Sequence, residues 1–203
     1  MKELILIKVS IILLFVFNIF NCQKKGISLA YQNDELIQDI GIGLVQIINP
    51  NENIILYSDN ALSIIKMKGP KTGTNFIPIL NKPDYGILFF SCIEKGPNFY
   101  KIIISKDNYA YIKPSENSIF YNWEDFLMGQ VVNIESKNLK NNPLRISING
   151  KSINTENWKS DDEVKILEIK GEWLNIENIT RNKKYWIRWK NKNQLLVYLN
   201  LLV

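Results

Sequence analysis

The stretch Cys92-Ile93-Glu94-Lys95-Gly96 has a counterpart of the same form later in the chain, Leu167-Glu168-Ile169-Lys170-Gly171. In both stretches an apolar run ends in a Lys-Gly pair, which is typical of a strand that runs into a tight turn. An aromatic residue follows each turn, Phe99 in the first stretch and Trp173 in the second. The two stretches therefore predict two strand–turn–strand units.

Both units continue in the same way. Tyr100-Lys101-Ile102 and Leu174-Asn175-Ile176 alternate between apolar and polar residues, as half-buried strands do. Fifteen residues after each glycine an aromatic residue precedes isoleucine, as Tyr111-Ile112 and as Trp186-Ile187. A three-strand unit is thus predicted twice, and we interpret the pair as an internal duplication.

The rest of the chain also favours strands. Beyond an apolar run at the N-terminus, no segment of about 12 residues or more has helical periodicity. One short helix is predicted over Trp123 to Met128, with Asn122 as its N-cap. The pattern as a whole predicts an all-β protein.

The second unit carries a family resemblance. Asp162 to Leu167, Gly171 to Ile176 and Tyr185-Trp186-Ile187 resemble the strands of a bacterial SH3-like (SH3b) domain, and Asn142 to Arg145 resembles its short first strand. The resemblance implies two small SH3-like β-barrels in tandem, over 41–130 with an insertion and over 131–203. It also implies recognition of cell-wall peptides or protein partners. We expect 131–203 to fold alone, with a small core.

The N-terminus resembles a lipoprotein signal peptide. Lys2 and Lys8 precede an apolar core from Val9 to Phe20, which has the length of an export signal and is too short to span a bilayer. Cys22 follows at once, so the resemblance implies lipidation of Cys22 after removal of residues 1–21. Residues 22–40 would form a tether. The residues before Cys22 are not small, as in the looser signals of Bacteroidetes lipoproteins.

Two alternatives to lipidation stay open. Ser28-Leu29-Ala30 offers an ordinary signal-peptidase site, and the apolar core could also remain as an uncleaved anchor. Lipidation and an uncleaved anchor would both hold the protein in the cell envelope, whereas ordinary cleavage would release a secreted protein. The Gln23-Lys24-Lys25 run favours an outer-membrane lipoprotein that faces the periplasm.

Composition argues against catalysis. The 203 residues include no histidine and two cysteines, so Ser–His and Cys–His pairs and zinc sites with His or four Cys ligands are excluded. We therefore expect no enzyme activity, no metal and no cofactor, and an enzyme that uses carboxylates alone stays open as a third hypothesis. The acidic run Asp161-Asp162-Glu163 is interpreted as a solvated turn, and Cys92 as a small buried residue. Basic residues are dispersed, which argues against a nucleic-acid partner.

The aromatic residues of the second unit are the candidates for binding. In a strand, Trp186 and Arg188 point to one side while Ile187 and Trp189 point to the other, so one set must cover the core. The exposed set would offer an aromatic and cationic surface. The candidate binding residues are Trp173, Trp186, Arg188 and Trp189, with Tyr57 and Trp158 as weaker ones.

The sequence thus predicts a lipid-anchored envelope protein that binds peptidoglycan or a protein partner. The alternative is a structural or inhibitory lipoprotein that docks on another envelope protein and binds no small molecule.

Replacing Cys22 by alanine is expected to abolish acyl labelling and membrane association, because that one side chain would carry all the lipid. Metabolic labelling with a fatty-acid analogue, followed by membrane fractionation, measures both. A variant that is labelled as strongly as the parent protein would contradict the lipoprotein interpretation.

Overall fold

The structure is a computed structural model, and it describes residues 31–50, 54–68, 76–82, 85–153 and 162–201. Cys22, the signal peptide and Trp158 lie outside the described residues. Within these residues nearly all regular structure is β-strand, so the predicted all-β fold class is confirmed. The strands form several antiparallel sheets, and in this part of the chain no barrel closes. Tandem SH3-like barrels therefore stay a prediction.

The N-terminal part is one antiparallel sheet of nine strands with two short helices. The strands are β1 Tyr31–Gln32, β2 Gly43–Ile47, β3 Ile55–Tyr57, β4 Ile65–Lys68, β5 Leu80–Lys82, β6 Ile87–Lys95, β7 Tyr100–Ser105, β8 Asn108–Ile112 and β9 Ser118–Asn122. Helix α1 spans Asp34–Ile37 and α2 spans Trp123–Gly129. The predicted cap of α2 is confirmed, because the Asn122 side chain accepts a hydrogen bond from the Asp125 N–H.

The C-terminal part contains three smaller sheets. Its strands are β10 Val131–Ser136, β11 Val164–Lys170, β12 Trp173–Asn178, β13 Lys183–Arg188, β14 Lys190–Asn191, β15 Gln194–Leu195 and β16 Val197–Leu201. β11, β12 and β13 form an antiparallel meander, β10 pairs with β16, and β14 pairs with β15.

The three-strand unit predicted twice is present twice, as β6–β7–β8 and as β11–β12–β13. The first turn joins Lys95 to Tyr100, and the second, shorter turn joins Lys170 to Trp173. Gly171 has φ +58°, a conformation that glycine adopts at no steric cost. In both units a bulge interrupts the first strand shortly before the turn, which the sequence pattern did not indicate.

Strand β6 lies at the centre of the N-terminal sheet. It pairs with β2 along one edge and with β5 and then β7 along the other. Both of its faces are covered along the first six residues, which explains why this part of the strand is apolar apart from Ser91. Phe89 belongs to one hydrophobic core and its neighbour Phe90 to a second core on the opposite face.

The core on the Phe89 side continues into the C-terminal part. It unites Ile40, Phe126 and Leu127 with Leu174, Ile187 and other C-terminal residues. The Trp123 and Trp189 rings meet within it, with centroids 5.3 Å apart. Independent folding of 131–203 stays a prediction, and this shared core argues against it.

The structure corrects the predicted tether. Residues 31–40 belong to the fold, because Ile37 and Ile40 are core residues and β1 pairs with β5. The Gln32 amide donates to the Val197 carbonyl and accepts from the Leu199 N–H, which joins this segment to β16. The local propensities of these residues do not predict that the segment is ordered, because it is held by partners far along the chain.

Replacing Trp123 by alanine is expected to cost about 3–5 kcal/mol of unfolding free energy, since the indole packs between Phe126 and Trp189. Because the core is shared, both parts should be destabilised in one transition. Denaturant unfolding followed by fluorescence and by circular dichroism tests this. If the C-terminal part kept its own transition at an unchanged midpoint, the shared core would not be energetically continuous.

Candidate binding surface

Strand β13 divides its side chains between two sides of the meander. Ile187 is fully buried, and Trp189, just beyond the strand, is 2% exposed. Trp186 and Arg188 lie on the opposite side and are partly exposed. The predicted alternation is therefore confirmed, and the structure determines which set faces the core.

Trp189 is accordingly a core residue. Its indole N–H donates to the Gly171 carbonyl at 3.0 Å, and its ring packs on Trp123. The expectation that Trp189 contributes to a binding surface is corrected, because a fully desolvated side chain offers no contact to a ligand. Trp173, Trp186 and Arg188 remain as candidates.

Trp173 and Trp186 share the outer face of the meander. The register places Trp173 opposite Arg188 and Asn175 opposite Trp186, so the two tryptophans are diagonal neighbours on adjacent strands. Both are partly exposed. Two flat aromatic side chains therefore stand close together on one side of a rigid sheet.

Cations flank both rings. The Arg145 guanidinium carbon lies 5.5 Å from the centroid of the Trp173 ring, and the Lys170 ammonium lies 5.6 Å from the centroid of the Trp186 ring. Both distances are within the range of cation–π attraction. Because β12 separates β11 from β13, the Lys170 and Trp186 side chains must reach toward each other across β12.

Two of the three cations near these rings, Lys170 and Arg188, already have an anionic partner. The Lys170 ammonium lies 3.1 Å from a carboxylate oxygen of Glu168. The Arg188 guanidinium donates to the Glu172 carboxylate, which also accepts the Lys192 N–H. The hydrogen bond from Arg188 is the main reason that the pKa of Glu172 is lowered from its usual value. Arg188 therefore holds the β11–β12 turn, and its charge is largely compensated.

Arg145 differs from these cations and was not predicted as a site residue. Its backbone N–H and carbonyl pair with those of Trp186, at 2.9 and 2.8 Å. Its Nη1 donates to the Gly150 carbonyl, while among the described residues no carboxylate pairs with it. The guanidinium is thus held over Trp173, and several of its five N–H donors remain available for a ligand. The one sequence signal for this region was the short strand predicted over 142–145.

We define the outer surface as Arg145, Lys170, Trp173, Trp186 and Arg188. It combines aromatic faces with cations and with one guanidinium that lacks an anionic partner in the described part of the chain. Such a surface can stack on a sugar ring or an apolar group while it pairs with a carboxylate.

Of the acidic run that we expected to be a solvated turn, Asp161 lies outside the described residues and Glu163 is exposed, but Asp162 is buried and corrects the expectation. Asp162 is 3% exposed, and it accepts hydrogen bonds from the Asn178 amide at 2.8 Å and from Arg181 Nε at 2.6 Å. A buried carboxylate needs such partners. Asp162 thus joins the start of β11 to the β12–β13 turn, and this role is structural.

Cys92 is a buried free thiol, as predicted. Its Sγ donates to the Glu94 carbonyl, and desolvation by burial raises the pKa of the thiol to about 11. A thiol with such a pKa holds very little thiolate at neutral pH, so it is a poor nucleophile.

Tyr57, a weaker candidate, lines a cleft of about 270 Å³ beside Ile47, Ile112 and Lys113. Among the described residues that line this cleft, Tyr57 and Lys113 are the titratable ones, and they form no cluster. Within the described ranges, no group of three or more Cys, Asp or Glu side chains is arranged to hold a metal ion. The two helices of that part of the chain fall short of the length and apolar character needed to cross a membrane.

Comparison with known proteins adds nothing to this geometry. The chain matches no protein-family model, and no curated protein or solved structure shows significant similarity to it.

The two sides of the meander should respond differently to substitution. Trp189→Ala is expected to cost about 3–5 kcal/mol of unfolding free energy, because it empties a core site. Trp186→Ala should cost about 1 kcal/mol or less, as is usual for a partly exposed residue. Denaturant titration of both variants measures the difference. Equal losses would show that Trp186 is also a core residue.

Proposed function

We propose that this protein is a non-catalytic binding module of the bacterial cell envelope, which recognises peptidoglycan or a protein partner through its outer surface. One observation carries the proposal: Arg145 is held over Trp173 with no carboxylate partner among the described residues. A ligand that brings a carboxylate to this point would gain charge-assisted hydrogen bonds and aromatic contact together.

Rigidity of the surface supports this proposal. Trp173 and Trp186 lie on paired strands whose opposite side is packed in the core, and Arg145 is joined to Trp186 through its backbone. Side chains that are already held in place lose little conformational entropy when a ligand binds. Peptidoglycan offers both of the required features, since its peptide stems carry carboxylates and its glycan strands carry sugar rings.

The proposal also includes the anchor. A lipid on Cys22 would attach the protein to the membrane, and we place its folded part at the periplasmic side of the outer membrane. From there the outer surface could reach the cell wall or another envelope protein.

Arg145→Ala is expected to weaken binding to purified peptidoglycan by about tenfold or more. This is the loss of affinity that corresponds to the free energy of one charge-assisted hydrogen bond. Trp186→Ala should weaken binding as well, while both variants keep most of their stability. Co-sedimentation with purified cell walls measures the binding. Lys184→Ala is the matched control, because Lys184 is an exposed cation two residues from Trp186 on the same face.

Cell-wall binding that is unchanged in both variants would contradict the role of the outer surface. If the parent protein did not bind cell walls but captured an envelope protein, and Arg145→Ala abolished the capture, the ligand would be a protein. Arg145→Lys separates charge from geometry, since lysine keeps the charge and loses the planar pair of donors.

A further inference from the structure

The position at which the chain enters the fold is fixed. Tyr31 pairs with Asn81 of β5, and the Gln32 amide is bound to the backbone of Val197 and Leu199. The following helix is held by Asp34, whose carboxylate accepts from the Lys137 ammonium at 2.8 Å. The backbone of Tyr31 therefore marks one defined place in the fold, beside β5 at one end of the sheet order.

The chain between the anchor and this place is short. Nine Cα–Cα steps lead from Cys22 to Tyr31, and whatever path they take they span at most about 32 Å. A folded body of this size is about 40 Å across. Tyr31 consequently cannot lie on the side away from a bilayer that holds a lipid on Cys22.

The surface around Tyr31 carries exposed aromatic and apolar side chains. Tyr85 is 54% exposed, and the ammonium of Lys82, the residue after Asn81, lies 4.3 Å from its ring. Tyr198 lies between the two residues that bind Gln32 and is 43% exposed. Leu36 of α1 is 56% exposed. Without a partner, these groups would leave apolar area in water.

Charge contributes little to this surface. The Lys137 ammonium lies 5.5 Å from the Tyr198 ring, but it is already paired with Asp34 and, at 3.4 Å, with Glu35. A negatively charged partner would therefore find few cations on this surface that are not already paired with a carboxylate. Tyrosine, however, is well suited to the headgroup layer of a bilayer, where its ring is shielded and its hydroxyl stays hydrated.

We propose that the membrane face, defined as Leu36, Tyr85 and Tyr198, rests on the headgroup layer of the bilayer in which the Cys22 lipid is inserted. The inference rests on the anchoring part of the proposed function and goes beyond it, because it orients the folded part on the membrane. The lipid tail supplies attachment, and the membrane face supplies orientation.

The test uses the full chain, acylated on Cys22, in phosphatidylcholine vesicles that contain a headgroup-quencher lipid. A fluorophore is attached through Glu35→Cys, an exposed position on α1, or through the control Ile64→Cys before β4, the strand at the opposite end of the sheet order from β1. Buried Cys92 does not compete for the label. Quenching at position 35 should exceed that at position 64 several-fold.

Adding Tyr85→Ser and Tyr198→Ser should reduce the quenching at position 35 markedly, and Tyr109→Ser, an exposed tyrosine on β8, is the matched control. Equal quenching at positions 35 and 64 in acylated protein would overturn the membrane face and leave the anchor intact. Protein that carries no acyl label would overturn both the anchor and the membrane face. Cell-wall binding by Arg145 is tested independently, by the co-sedimentation of its variants.

Discussion

The contact between Trp123 and Trp189 lies where the N-terminal and C-terminal parts share one hydrophobic core. Trp123 begins the helix that follows β9 of the N-terminal sheet, and Trp189 follows the last strand of the C-terminal meander. Both indole N–H groups are satisfied by backbone carbonyls, Trp123 by Ile40 and Gly41 and Trp189 by Gly171. The pair can therefore be buried without loss of hydrogen bonding, which would otherwise cost about 1–3 kcal/mol for each group. It joins the two parts into one core.

This contact also decides which side of the meander is free. Once Ile187 and Trp189 face the core, alternation places Trp186 and Arg188 on the outside, and strand pairing brings Trp173 beside them. The Glu168–Lys170 and Glu172–Arg188 ion pairs then compensate two of the nearby cations. Arg145 arrives from a separate segment through its backbone pairing with Trp186. The resulting surface combines a rigid sheet with one guanidinium that has donors available.

Local pattern was sufficient for the two three-strand units and for the alternation along β13. The two Lys-Gly turns, the meanders around them and the capped helix at Asn122 each follow from a few adjacent residues. The features that were not predicted depend on residues far away in the sequence. Asp162 is buried because Asn178 and Arg181 lie across a turn from it, and Gln32 is ordered because β16 lies beside it. Arg145 acquires its position from the pairing with Trp186, and the short strand predicted over 142–145 was the only local signal for it.

The indole N–H resonances of the tryptophans show whether one side of the meander builds the core while the other side binds the ligand. Solubilised cell-wall fragments would be titrated into the labelled protein while all indole signals are followed by NMR. We expect the signals of Trp173 and Trp186 to shift progressively, while those of Trp123 and Trp189 stay in place and exchange slowly with solvent. Shifts confined to Trp123 or Trp189, or rapid solvent exchange of the Trp189 indole, would contradict this expectation.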